Sequence, residues 1–405
     1  MIIVQKYGGT SVASTEKILN VANKIAQSYL ENNDIVIVLS AQGNTTDILL
    51  SKAKEISPNP SKRELDALLS TGEVQSAALM AIALEELGLP AISLNARQAC
   101  IFSTAEHGCA KIASIDTDRI KLELEKRNIV IITGFQGVAE HGDTTTLGRG
   151  ASDTTAIALA AALSANLCEI YTDVEGIFTA DPRIVENALK HEAIGYDEML
   201  ELSSMGASVL HNRSVELAKK FDVNFFVKSS TLAAEPSQIK EMIGIEEKTI
   251  CGITADKSVC KISLSEIEPT CVPRVMHLLA SSKISADIVT YECTNKIKSL
   301  SFSIPFINCK KTCKILESGG SRSNIKISVK KDLAKLSVIG AGIAYDTNII
   351  SLFYETLLKE EIEIHLLSLS ATKISALVAE AEINRAISAL HFKYKKAGVL
   401  RPRTL

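Results

Sequence analysis

The chain reads as an α/β domain with a mainly parallel sheet, followed by two smaller ferredoxin-like α+β modules. Three observations predict this. Runs such as IVIVL at Ile35 to Leu39 and IVIIT at Ile129 to Thr133 are almost wholly apolar, the texture of central parallel strands covered on both faces. Helix-forming segments alternate with such runs over roughly 230 residues. Past Gly244 a different order of elements begins and recurs at an offset of roughly 75 residues.

Taken in order, the first strand, Ile2 to Gln5, breaks at KYGGTS, Lys6 to Ser11, and a helix is expected from Thr15 to Tyr29. Strand, Gly-rich turn and helix form a phosphate-binding unit. The run at Ile35 ends in SAQGNTTD, Ser40 to Asp47, ahead of a further helix. Leu65 to Leu87 is helical by composition, interrupted by STGE at Ser70 to Glu73. AISLN, Ala91 to Asn95, and the run at Ile129 are two more buried strands, the latter leading into GFQG.

Next comes TTTLGRGASDTTAIALAAAL, Thr144 to Leu163, a glycine-punctuated loop entering an Ala/Leu-rich helix. Gly148 and Gly150 permit backbone conformations closed to other residues, and Ser152 or Asp153 can cap the helix. Free N–H groups, the positive end of a helix dipole and Arg149 then share one place, which suits a negatively charged group. CEIYTD at Cys168 and the turn-rich VEGIFTADPR follow. In such sheets the loops after the strands converge on a ligand.

In the C-terminal part, KISLS at Lys261, a helix near Val272 to Ser281, KISADIVTYE at Lys283 and IKSLSFSIP at Ile297 make a β-α-β-β order. KLSVIG at Lys335, a helix near Asn348 to Lys359, IEIHLLSLS at Ile362 and KISALVA at Lys373 repeat it. A further helix and strand would complete each copy as a ferredoxin-like unit. The expected boundaries are 1–245 for the large domain, 250–330 for the first module and 333–405 for the second.

Length and composition fit this division. A chain of 405 residues is too long for one ordinary core. Hydrophobic residues make up 46% and charged residues 22%, as in soluble globular proteins. The net charge is -3 and the basic residues are scattered, so neither nucleic acid nor an anionic membrane is called for. MIIVQK lacks the pattern of a leader, and no later run approaches a membrane span, so a cytoplasmic protein is expected. The nine cysteines are odd in number and irregular in spacing, which points to reduced thiols without a metal site, a disulfide framework or a catalytic cysteine.

Seven motifs carry a family resemblance: KYGGTSV, VLSAQGNTTD, STGE, GFQG, TTTLGRGASDTTA, YTDVEGIFTADPR at Tyr171 and MLELSSMGASVLHNRSVELA at Met199. In this order the chain resembles the aspartokinases of the amino-acid kinase family over nearly its whole length, and the paired repeats resemble that family's two ACT modules. The resemblance implies an amino-acid-kinase αβα sandwich. It also implies transfer of the ATP γ-phosphate to the side-chain carboxylate of L-aspartate, giving 4-phospho-L-aspartate, the first step toward diaminopimelate and lysine, threonine and methionine. ATP and Mg²⁺ would be required. The residue types agree with that chemistry, because an aspartate carboxylate is already ionised at neutral pH and needs no general base. What it needs is positioning, and cations and N–H groups that let an anion meet a polyanion.

Matched by motif, the resemblance implies Lys6 on the transferring phosphates, with Gly8 and Gly9 letting backbone approach them and Ser40 close by. Thr46, Glu73 and Ser152 fall on the aspartate side, and Arg149 has the place of the substrate arginine, whose fork can grip a carboxylate. Asp153 is the residue to organise Lys6 and, directly or through water, magnesium, which ATP itself would mainly hold. Lys6, Arg149 and Asp153 form the implied catalytic set, and Thr172, Asp173, Phe178 and Arg183 the nucleotide side. Taken singly, Lys6 could be a solvated strand-end lysine and Glu73 a helix-start carboxylate.

The chain also departs from the family pattern. Ala151 replaces a glycine of GRGGSD, and Phe178 replaces a common tyrosine. Ser208 stands where GAKVLH-like stretches have a nucleotide-side lysine, a loss that Lys219, Lys220 or Lys228 would have to make good. The ACT-like modules lack the usual turns at EIEPTCVP, Glu266 to Pro273, and AGIAYDTN, at Ala341, and SADIVTYE has Tyr291 with no glutamine. Feedback by lysine or threonine is therefore expected to be weakened, lost or altered, with assembly as the competing role of the modules and a homodimer, or a higher homo-oligomer, as the expected form. Two rival functions remain at this level: a kinase acting on glutamate or acetylglutamate, and a catalytically silent amino-acid sensor.

Overall fold

A computed structural model describes residues 1–148, 150–207, 209–242, 249–293, 298–319 and 326–404. The apolar runs form an eight-stranded sheet. From edge to edge its strands are Ala193–Gly195, Ser237–Lys240, Phe225–Ser229, Leu167–Thr172, Ile2–Tyr7, Asp34–Leu39, Ile129–Thr133 and Ala91–Leu94. Pairing is parallel except between Phe225–Ser229 and Ser237–Lys240. Because side chains alternate across a strand, Val4, Val36, Val38, Val130 and Ile132 enter one core, and Ile3, Ile35, Ile37, Ile129 and Ile131 the other. Both faces are covered, which is why these strands carry no polar face to reveal a period of two.

Helix Thr15–Leu30 is capped by Ser14, whose side chain accepts from the Lys17 N–H, and buries Ile18, Val21, Ala22 and Ile25 against one face. Helix Ser152–Leu163 lies on the other face and is apolar nearly all round, since sheet and further helices surround it. Lys62–Leu69 and Thr71–Glu86 follow one another through a helical Ser70. Against the expectation of no such run, Lys62–Glu86 is long and apolar enough for a membrane span by length and composition. Half of its most apolar window is buried, and Ala77, Met80 and Leu84 pack on the sheet as a core helix does.

A second sheet of four short strands, Ile112–Ile115, Ile101–Ser103, Gln136–Val138 and Thr144–Thr146, was not foreseen, because three or four residues are too few to show a period.

The C-terminal elements form one six-stranded antiparallel sheet in the order Val289–Cys293, Lys298–Pro305, Ile250–Ser265, Lys326–Gly340, Lys373–Ala379 and Leu366–Ser370. It has two cores. Cys260, Ile262 and Leu264 pack with helices Cys271–Ser281 and Cys309–Gly319. Ile250 and Ile253 instead join Leu336, Val338, Phe353 and Leu390, among helices Thr347–Lys359 and Ile383–Lys396. The strand completing the second unit therefore comes from the chain ahead of the first, and a cut at 330/333 does not separate the two cores. Register shifts near Asp256 to Lys261 mark where the long strand passes from one core to the other.

Candidate active site

The C-terminal ends of Ile2–Tyr7, Asp34–Leu39 and Ile129–Thr133 open on one cleft, as strand ends do in an open parallel sheet. Its volume is about 680 Å³, and Lys6, Gly9, Ser40, Thr46, Glu73, Ser152 and Asp153 all line it. The sequence separates these residues by up to 147 positions; the parallel register brings them to one wall. The loops after the first two strands are tied together by the Gly43 N–H donating to the Gly9 carbonyl at 3.0 Å. A Cβ on Gly9 would lie 2.5 Å from the Ala41 carbonyl oxygen, so this approach admits glycine alone.

Lys6 Nζ lies 2.6 Å from Asp153 Oδ1, and both side chains are about nine-tenths buried. Asp153 is thus spent on Lys6, and the expected capping of helix Ser152–Leu163 does not occur: Ala151 is the capping residue, and among the described residues no side chain caps the helix. The physical reason is competition, since an ionic partner at hand outweighs a cap. The uncapped end keeps its N–H groups and its positive dipole facing the cleft. Gly148 and Gly150, at φ of 93° and 77°, turn the preceding loop toward it as expected. Arg149 between them lies outside the described residues, as does Ser208.

Glu73 sits in the first turn of helix Thr71–Glu86, only 3% exposed. Its Oε1 accepts from the Ala41 N–H at 3.1 Å, while its Oε2 has no hydrogen-bond partner among the described residues. Burial pushes its carboxyl up to about 7, against the opposing pull of the Ala41 N–H and Gln136. A buried carboxylate in a cleft wall, with one oxygen unpaired among the described residues, is short of a cation.

The nucleotide-side group does not line this cleft. Thr172 ends the strand beside Ile2–Tyr7, and its Oγ1 donates to Asp173 Oδ1 at 3.1 Å. Phe178 is half-buried and bridges Lys190. Arg183 pairs with Asp181 and is otherwise exposed. Gly8 stands between the groups, donating to the Tyr171 carbonyl at 3.4 Å, with Lys6 Nζ 3.5 Å from where its Cβ would be. None of the three candidate replacement lysines reaches the cleft: Lys219 pairs with Asp197 at 2.6 Å, Lys220 lies over the Phe221 ring, and Lys228 pairs with Glu169.

Sequence reasoning missed a second wall. Asp66, 1% exposed, accepts from His107 Nδ1 at 2.8 Å, from the Gly108 N–H at 3.0 Å and from Thr146 Oγ1 at 2.5 Å. It thereby holds the loop between the short strands against the cleft. Arg213 donates to the Leu147 carbonyl at 2.6 Å and the Ala110 carbonyl at 3.1 Å, fixing the glycine loop from the far side. Nothing local distinguishes Asp66, in a charged helix, from a solvated residue.

The amino acid kinase family model matches residues 1–229, and an ACT domain model matches 328–391. The chain is 44% identical over 394 residues to the aspartokinase of Geobacillus stearothermophilus, covering 96% of each chain. It is similar in fold to E. coli aspartokinase III in complex with aspartate and ADP in its R-state, with a TM-score of 0.81 at 23% identity and coverage of 97% and 99%. The TM-score to the complex of that enzyme with lysine and aspartate, in its T-state, is 0.74, at the same identity and with the same coverage.

Proposed function

Because the chain belongs to the amino acid kinase family, among the aspartokinases, we propose that the cleft at Lys6 and Glu73 is where it phosphorylates the side-chain carboxylate of L-aspartate at the expense of ATP. The observation that carries the assignment of the cleft is Glu73 Oε2, buried and unpaired among the described residues, in the same cleft wall as the Lys6–Asp153 pair. An α-ammonium group completes Glu73, and the substrate carboxylates then face Ser152 and the helix N-terminus, with Arg149 as the substrate arginine that the family motif implies. Thr46 closes the aspartate side.

Lys6, oriented by Asp153, takes up charge that develops on the transferring phosphoryl group, and Gly8 and Gly9 let the backbone approach the remaining phosphate oxygens, with Ser40 close by. The attacking carboxylate is ionised already, so no residue has to remove a proton. Mg²⁺ neutralises phosphate charge when bound. The nucleotide phosphates would hold most of it, as is usual for this ion, with Asp153, one of four carboxylates in the cleft wall, as the protein group beside Lys6. The nucleotide base side falls to Thr172, Asp173, Phe178 and Arg183 at the neighbouring strand end.

The product feeds synthesis of diaminopimelate and lysine, threonine and methionine in this reading. The chain works in the cytoplasm as a homodimer joined through the ACT-like modules, whose edge strand Val289–Cys293 exposes Val289 and Tyr291. Feedback by lysine or threonine there is weakened, lost or altered, which titrating the two, alone and together, into the assay tests: strong inhibition at millimolar levels with the usual sigmoidal response would overturn it. Hydroxylamine trapping tests the reaction. Aspartyl hydroxamate should form from ATP and aspartate and not from glutamate analogues; its absence would overturn the assignment.

A further inference from the structure

The segment that follows Thr172 and Asp173 is not supported by the large domain alone. Residues 177–179 and 189–191 form a short antiparallel ladder, with the Thr179 N–H donating to the Leu189 carbonyl at 2.8 Å and the His191 N–H to the Ile177 carbonyl at 2.9 Å. The turn between them plunges into the second ACT-like unit. Ala180 and Val185 are members of that unit's core, together with Phe353, Ile387 and Leu390. Ser388 Oγ donates to the Ile184 carbonyl at 3.4 Å, and Lys395 Nζ to the Asn187 carbonyl at 3.4 Å.

Thr179 is the node of this arrangement. It is fully buried, and every polar group it has is used. Its carbonyl accepts from the Ile253 N–H at 2.8 Å, its Oγ1 accepts from the Leu189 N–H at 2.9 Å, and the same Oγ1 lies 2.9 Å from His391 Nε2. His391, on helix Ile383–Lys396, is only 2% exposed. We propose that His391 is a positioning residue for the nucleotide: through Thr179 it sets the ladder that carries Phe178, so the second ACT-like unit completes the ATP site of the domain preceding it. This rests on the reading that the Thr172 to Arg183 segment serves the nucleotide.

The physical case is that a buried hydroxyl bonded on both sides has one arrangement. Removing the imidazole takes away one of the two partners of the hydroxyl, leaving only the Leu189 N–H, and lets the ladder re-pack. Burial also pushes His391 down to about 4, with Lys395 adding to the effect, so the ring is neutral at any working pH and acts as a hydrogen-bonding strut rather than a charge. The aspartate side is built from other strand ends and has no part in this node.

The test uses the full-length chain. His391→Ala should raise the KM for ATP and the Kd for ATP without aspartate by about fivefold to tenfold, the range of one hydrogen bond, with the KM for aspartate unchanged. His391→Gln, which keeps a donor and an acceptor, should restore ATP affinity. Should His391→Ala not fold, Thr179→Val and His391→Leu, singly and combined, carry the test: effects on ATP affinity that fail to add support the coupling, and additive effects overturn it. Equal loss toward both substrates, or no rescue by glutamine, overturns it too. Phe178→Ala separates this inference from the reading beneath it. ATP affinity indifferent to both Phe178→Ala and His391→Ala removes the segment from the nucleotide site and the inference with it. Indifference to His391→Ala alone overturns only the inference.

Discussion

Glu73→Gln isolates one charge with almost no change in shape. The carboxyl moves from an ordinary 4.5 to about 7 on burial, so ionising it without a partner cation costs roughly 3 kcal/mol at 1.36 kcal/mol per unit. An ammonium group placed on Oε2 offsets that cost, and binding of aspartate below pH 7 must expel a proton from Glu73. The sign for stability follows from linkage. With the folded-state value raised, the stabilising contribution of Glu73 is full below about 4.5 and is lost as pH rises through about 7. At pH 8 the glutamine variant should therefore melt no lower than the parent, while its KM for aspartate rises roughly 10- to 100-fold, the worth of a hydrogen bond to a charged group. Its KM for ATP should not move.

The assay is the hydroxamate reaction run from pH 5.5 to 8.5, paired with thermal melts. In the parent the KM for aspartate should climb toward tenfold per pH unit below about 7, and in Glu73→Gln that dependence should vanish. A variant that melts lower at pH 8 and loses both substrates equally would make Glu73 a structural helix-start carboxylate and refute the reasoning.

Three further outcomes are expected. Lys6→Ala should lower kcat by roughly two orders of magnitude or more while the protein still binds aspartate, read from initial rates and calorimetry; a change in KM alone would place the lysine outside the transition state. Gly9→Ala puts a methyl 2.5 Å from the Ala41 carbonyl and should part the two phosphate-side loops, with a loss of roughly 1–3 kcal/mol in stability and a lower kcat; full activity would show that these loops do not work at their present spacing. Arg149→Ala should lose kcat/KM for aspartate more than affinity for ATP, and the reverse pattern would put Arg149 on the other substrate.

Much of the catalytic domain is legible in the chain because its strands are buried on both faces. Val36 to Leu39 and Ile129 to Ile132 can be nothing but central, and the glycines after them mark the loops that must approach a ligand. Lys6, Glu73 and Asp153 were found through motif order, for none of them is distinctive alone. Asp66 and Arg213 were not found, because each works through a partner 40 or more residues away. The capping role given to Asp153 failed for the same reason: local propensity named a helix cap, and a lysine from another strand claimed the side chain first.

The sequence by itself determined the central strands of the large sheet, where the phosphate loops fall and that two similar small units follow, since all three are written in local patterns of apolar residues and glycines. Only tertiary structure decided that Ile250 to Asp256 serves the second unit and not the first, that Glu73 keeps an oxygen unpaired among the described residues and is pushed up to about 7 by burial, and that Thr179 meets His391 across 212 positions. Strand partnership, desolvation and long-range hydrogen bonding depend on what the rest of the chain brings alongside, and no window of residues contains that.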